Sequence, residues 1–257
     1  MTDRQHSARR LLSELERQLE ALERAGVRWV NVPGAPAAPA APTAPAPAQP
    51  AAPPAPARAA PPLASAARPH PSAVETLESL RLQTLDCAQC KLCETRTQVV
   101  FGVGSDRPRI LFIGEGPGAD EDAQGEPFVG RAGRLLTGLI LAMGLVREDV
   151  YITNVVKCRP PENRNPEPAE IASCRPILQR QIELLDPRLI VTLGNVPLKA
   201  LHPQAGGITR GRGTPFTYQR WQVLPTFHPS YLLRNPAAID ICWRDFRSAL
   251  HAAYAEP

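Results

Sequence analysis

Four short apolar runs, at residues 109–113, 150–155, 188–193 and 222–227, break off in turn-forming residues and are separated by helical stretches. Runs this short and this rich in aliphatic and β-branched residues read as buried strands. Helices are expected near 74–86, 131–144, 168–185 and 195–202, with a last one near 239–253. Strands that alternate with helices predict a four-stranded parallel sheet covered on both faces, an α/β fold. Such sheets bind ligands beyond the carboxyl ends of their strands, so chemistry is expected just after each run. The first run, Arg109 to Ile113, passes directly into Gly114-Glu115-Gly116-Pro117-Gly118. Glycines there bring backbone N–H groups close to a ligand, and Glu115 brings a carboxylate. The fourth run ends in Phe227-His228-Pro229-Ser230-Tyr231-Leu232-Leu233-Arg234, and Asn154 closes the second.

The chain divides into three parts. Residues 7–25 place Leu11, Leu12, Leu15, Leu19 and Leu22 at three- and four-residue steps, an amphipathic helix within a segment 1–30. It reads either as a marginal isolated helix or as a docking helix for a partner protein. Residues 31–72 hold 14 of the 30 prolines among alanines, with Arg58 and Arg68 as their formal charges. Such a segment buries no core and is expected to be a disordered, partly extended linker. The remaining 73–257 form the expected catalytic-sized domain. No apolar run is long enough to span a bilayer and no secretory pattern is present, so a cytoplasmic protein is expected.

The net charge of +4 is spread over all three parts. Segment 1–30 contributes +1 and the linker +2, which leaves the domain with 21 basic and 20 acidic residues. Overall basicity therefore carries no case for nucleic-acid binding. Phosphate contacts would have to come from local clusters: Arg131 with Arg134, Arg210 with Arg212, and Arg234.

Six cysteines in a reducing compartment point to metal binding rather than disulfides. Cys87 and Cys90 form a Cys-x-x-Cys pair after an expected helix, and Cys158 and Cys174 lie 16 apart. The spacing suits a four-cysteine zinc site or a [4Fe–4S] cluster and does not choose between them. Cys93 and Cys242 are read as spectators, Cys242 as a small buried hydrophobe.

Several ordered segments resemble one family. They are Cys87-Ala88-Gln89-Cys90, Arg96 to Gly102, Gly114 to Asp122, Pro127-Phe128-Val129-Gly130, Thr153 to Pro161, Cys174, and His228 to Arg234. Together they resemble the family 4 uracil-DNA glycosylases, the iron–sulfur-containing branch of the uracil-DNA glycosylase superfamily. The resemblance covers roughly residues 74–257. It implies a three-layer α/β/α fold and a base-excision repair enzyme that releases free uracil from DNA and leaves an abasic site. It also implies a [4Fe–4S] cluster on Cys87, Cys90, Cys158 and Cys174. The partner implied is uracil-containing DNA, single- or double-stranded, bound by a monomer associated with the nucleoid of a prokaryotic cell.

The resemblance assigns roles residue by residue. Excision requires the uracil to leave the stack for a pocket that reads its edge. Phe128 would stack on the ring, Asn154 would read N3–H and O4, and Glu115, Gly116 and Pro117 would line the pocket. His228 would donate to O2 as charge develops on the departing base. Glu115, as the nearest carboxylate, is expected to position the attacking water; Glu121 is the second candidate for that task, or else stands beside uracil C5 and helps exclude the thymine methyl. Ser230, Tyr231, Leu232 and Arg234 would contact DNA, with Tyr231 and Leu232 filling the gap left by the flipped base; Arg210 and Arg212 are expected to join them on charge clustering alone. The competing expectation is a cluster-stapled nucleic-acid-binding module without turnover.

Overall fold

In a computed structural model of the chain, residues 75–254 are described. The expected helix of residues 1–30 and the linker of 31–72 lie outside them. The described residues build one sheet in the order β1-β3-β2-β4-β6-β5. Its strands are β1 (Val103–Gly104), β2 (Ile110–Gly114), β3 (Tyr151–Asn154), β4 (Leu189–Leu193), β5 (Phe216–Tyr218) and β6 (Trp221–Thr226).

The four expected strands are β2, β3, β4 and β6, and they pair in parallel at the centre of the sheet. The expectation of a purely parallel, four-stranded sheet is corrected: the sheet is six-stranded and mixed. Strands β1 and β5 add to its edges antiparallel. Two and three residues long, they carry no run of apolar residues to announce them. Strand β1 depends instead on Gly104, at φ 131°, whose missing Cβ admits the backbone of Val150. Strand β5 turns back on β6 through Gln219 at φ 54°.

Alternate residues of each central strand face opposite ways, and the helices cover both faces. Ile110 and Phe112 of β2 join Ile152, Val191 and Leu224 under α3 (Arg131–Ala142) and α8 (Ile239–Tyr254). Leu111 and Ile113 join Ile190 and Val223 under α1 (Leu77–Leu85), α4 (Pro168–Leu185) and α5 (Asn195–Leu201). Continuous burial of β2, β3 and β4 explains why they read as unbroken apolar runs.

Local chemistry sets the helix starts. Thr76 caps α1, its hydroxyl accepting from Ser79 N–H at 3.1 Å. Pro168 opens α4, and Glu170 reaches back to the Glu167 N–H at 2.7 Å. Three short helices were not expected from sequence: α2 (Ala119–Gln124), α6 (Ile208–Gly211) and α7 (Pro229–Arg234). Each is six residues or fewer, too short to show a helical period. Helices α2 and α7 both start at the carboxyl edge of the sheet, where the ligand is expected.

Candidate active site

Strands β2 and β3 end side by side, with Gly114 opposite Asn154 in the parallel ladder. Gly114 is glycine for a spatial reason. A Cβ there would collide with Asn154 Oδ1 on one side and the Phe128 ring on the other. The missing side chain lets an amide and an aromatic ring converge on one point. Asn154 is 1% exposed, and its Oδ1 is a buried polar atom without a hydrogen-bond partner among the described residues. Buried acceptors are nearly always paired, so an orphan at a strand's carboxyl end marks a place for a ligand donor. The backbone of Asn154 is held firmly: its carbonyl accepts from the buried Lys157 Nζ at 2.6 Å. Lys157 also donates to Thr153 Oγ1 at 2.7 Å, and burial lowers its pKa to about 8.

Phe128 covers this floor from the loop between α2 and α3. Its backbone sits at φ 55°, the left-handed region that a bulky residue enters only under constraint. Glu121 supplies part of that constraint. Its Oε1 accepts from Val129 N–H at 3.0 Å and Gly130 N–H at 2.9 Å, and its Oε2 from Gly118 N–H at 3.1 Å. The carboxylate thus ties the glycine turn after β2 to the Phe128 loop. Gly133 helps from the other side, since a Cβ there would strike the Phe128 carbonyl.

His228 enters from the end of β6 and caps α7. Its ring lies 5.6 Å from that of Phe128, tilted by 33°. Ser230 N–H donates to His228 Nδ1 at 3.1 Å, and Ser230 Oγ lies 2.8 Å from the same nitrogen. With Nδ1 accepting, the ring proton sits on Nε2, which becomes the available donor. Burial, with Arg234 adding to it, lowers the His228 pKa to about 4, so the imidazole is neutral at physiological pH. Glu115 stands half-buried in the same cavity, and desolvation raises its carboxyl pKa. These side chains line one cavity of about 570 Å³.

Comparison with known proteins agrees with this geometry. The family model of the Uracil DNA glycosylase superfamily matches residues 101–247. The chain is 43% identical to the type-4 uracil-DNA glycosylase of Sulfurisphaera tokodaii, over 68% of this chain and 83% of that protein. It is 50% identical to that of Thermotoga maritima, over 63% and 85%. Identity to that of Archaeoglobus fulgidus is 41%, over 68% and 92%. This chain belongs to the type-4 uracil-DNA glycosylases.

Within this glycosylase the expected residues separate into those gathered at the cavity and those placed elsewhere. Glu115, Gly116, Pro117, Glu121, Phe128, Asn154 and His228 all line it, and Ser230, Tyr231 and Arg234 form part of its rim. Leu232 does not belong with them: it is 0% exposed and packs in the core beneath α7. Its neighbours Tyr231 and Leu233 are the exposed apolar residues of that loop, at 38% and 39%. The single helical turn of α7 decides this, because residues one apart on a helix point in different directions. Arg210 is exposed on α6, outside the residues that line the cavity. Arg212 turns inward. Its Nε donates to Asp245 Oδ2 at 3.0 Å, its Nη2 pairs with Asp245 Oδ1, and the guanidinium lies 5.6 Å from the Phe227 ring centroid.

The cysteines require a correction. Cys87, Cys90, Cys158 and Cys174 border one small cavity with Arg96 and Lys157. Yet among the described residues no group of three or more His, Cys, Asp or Glu side chains is arranged to hold a metal ion. The expected [4Fe–4S] cluster and its four-cysteine ligand set are therefore contradicted. Burial pushes Cys158 up to about 11 and raises Cys174 and Cys90. Arg96 meanwhile donates to Cys158 Sγ at 3.1 Å and to the Cys87 carbonyl at 2.7 Å. Cys93 is half-buried outside that cavity, and Cys242 is fully buried beside Thr226 Oγ1 at 3.3 Å.

Proposed function

We propose that this chain excises uracil from DNA, hydrolysing the N-glycosidic bond of a flipped nucleotide to leave free uracil and an abasic site. The observation that carries this reading is the orphan Oδ1 of Asn154 on the cavity floor. Uracil N3–H donates to that oxygen, while the Asn154 amide donates to O4. Cytosine presents an acceptor at N3 and a donor at C4, so both contacts fail and a buried polar pair is left unmatched. The Phe128 ring supplies the stacking face.

Each remaining side chain has a task in the bond cleavage. As the N1–C1′ bond breaks, its electron pair moves onto the base and negative charge gathers at O2. His228 Nε2–H, neutral and pre-oriented by Ser230, stabilises that charge without needing a proton from solution. Glu115 holds the attacking water and accepts its proton as oxygen bonds to C1′. Glu121 is a positioning residue in this scheme, because both of its oxygens already accept backbone N–H groups.

The substrate is DNA in the cytoplasm, met by a monomer. Arg234 and the exposed Tyr231 and Leu233 face the strand, and Leu233 rather than Leu232 enters the gap left by the flipped base. The non-catalytic alternative has no observation in its favour. The test is base release by the full chain from matched oligonucleotides holding one U, T or C opposite G. Alkali-labile cleavage at U alone is expected; no release from any of them would overturn the reading.

A further inference from the structure

We propose that Arg147, which lies outside every segment that carries the family resemblance, is a positioning residue that sets the Phe128 ring over the pocket. The proposal rests on the uracil-excision reading and assigns a determinant of its rate.

Arg147 follows α3 and opens the short turn Arg147–Asp149 before β3. Its guanidinium reaches back across the face of α3. Nη2 donates to the Pro127 carbonyl at 2.8 Å, and Nη1 to the Phe128 carbonyl at 3.2 Å and to Thr137 Oγ1 at 3.2 Å. One planar group thus holds two successive carbonyls at the residue whose backbone sits at φ 55°. Pro127 and Phe128 are both buried, so these carbonyls have little solvent to turn to if the guanidinium leaves. A strained backbone persists only where its surroundings over-determine it. Glu121 fixes the N–H side of this loop, at Val129 and Gly130, and Arg147 fixes the carbonyl side. Between them the peptide planes flanking Phe128 cannot rotate, and the ring stays against Gly114 and His228. Burial lowers the Arg147 pKa, and the charges of Glu126 and Glu148 offset part of that.

A lysine cannot reproduce the clamp, since its point charge does not span two carbonyls in a plane. Arg147 touches neither base nor water in this arrangement; it acts through Phe128.

The test is a double-mutant cycle under single-turnover conditions on a U·G duplex, using the full chain and the variants Arg147→Met, Phe128→Ala and both together. Arg147→Met is expected to slow excision about 10- to 100-fold in the native background. Added to Phe128→Ala, it should slow excision by less than twofold, because the ring it positions is gone. Affinity for a duplex bearing an abasic-site analogue should stay within threefold. Equal slowing in both backgrounds, or none in the native one, would overturn the proposal. Should Arg147→Met not fold, Arg147→Lys retains a cation and is expected to fold and to excise at least fivefold more slowly; a native rate for it would also overturn the proposal. A native chain that releases no uracil would instead refute the excision reading itself.

Discussion

Two polar clusters stand at the carboxyl edge of this sheet, and they are finished to different degrees. Behind β6, Asp245 accepts from Arg212 and from Thr226 Oγ1 at 2.6 Å, while Arg212 also donates to the Ile241 carbonyl at 3.0 Å. Both Asp245 carboxylate oxygens there have partners, and a Cβ on Gly213 would press on the same carboxylate. Beyond β2 and β3, Asn154 Oδ1 is buried with no partner among the described residues, the His228 Nε2–H is held ready as a donor, and desolvation raises the Glu115 pKa. The first cluster spends its polarity on the fold. The second leaves the same kind of groups unsatisfied, and only a ligand with the complementary pattern completes them. Arginines and carboxylates look alike in sequence; how far each is already paired separates scaffold from site.

That contrast breaks most sharply at the two carboxylates. Replacing Glu115 by Gln should lower the excision rate by about 10²- to 10⁴-fold, the range for a general base, with thermal stability unchanged or raised. The native pH profile should fall on its acid side about tenfold per pH unit below the raised pKa of Glu115, and Glu115→Gln should flatten that limb. His228 stays neutral down to about pH 4 and contributes to activity loss only there. Its folded pKa lies below the usual 6.5, so the unfolded chain takes up its proton first. Folded stability contributed by His228 therefore declines as pH falls from about 6.5 to about 4. An acid limb that survives Glu115→Gln would remove the carboxylate from its role.

The smaller effect lies in the satisfied cluster. Asp245→Ala should cost about 2–3 kcal/mol of stability, because it strips a charge-assisted partner from a mostly buried Arg212. Excision by the folded fraction at low temperature should stay within threefold of native. Denaturant titration and single-turnover rates measure the two halves separately. A large rate loss with little loss of stability would erase the distinction between the clusters.

Much of this is legible in the sequence. The four parallel strands announce themselves because they are buried on both faces, and the long helices because their apolar stripes span several turns. Asn154 and His228 are legible from their position at strand ends, Phe128 only from the motif around it. What sequence hid is pairing and direction. Arg212 reads as a phosphate contact until Asp245, 33 residues later, is seen to hold it. Glu121 reads as a reacting carboxylate until three backbone N–H groups are found on it. Leu232 and Leu233 are equivalent in composition, and only the turn of α7 sends one into the core and the other outward. The cysteine spacing suggested a metal centre that the side-chain arrangement does not provide. Arg147 carries no motif at all; its role shows only in the Phe128 backbone angle and the carbonyls it holds.

The most direct test of the central claim, that Asn154 reads the base edge, is the single-turnover rate on U·G and C·G duplexes for the native chain and for Asn154→Ala. The native chain should release uracil and leave cytosine untouched, and the variant should lose about 10²- to 10³-fold on uracil, the scale for removing one preorganised polar group. A variant that excises uracil at the native rate, still rejecting cytosine, would contradict the claim and move base recognition to another part of the cavity.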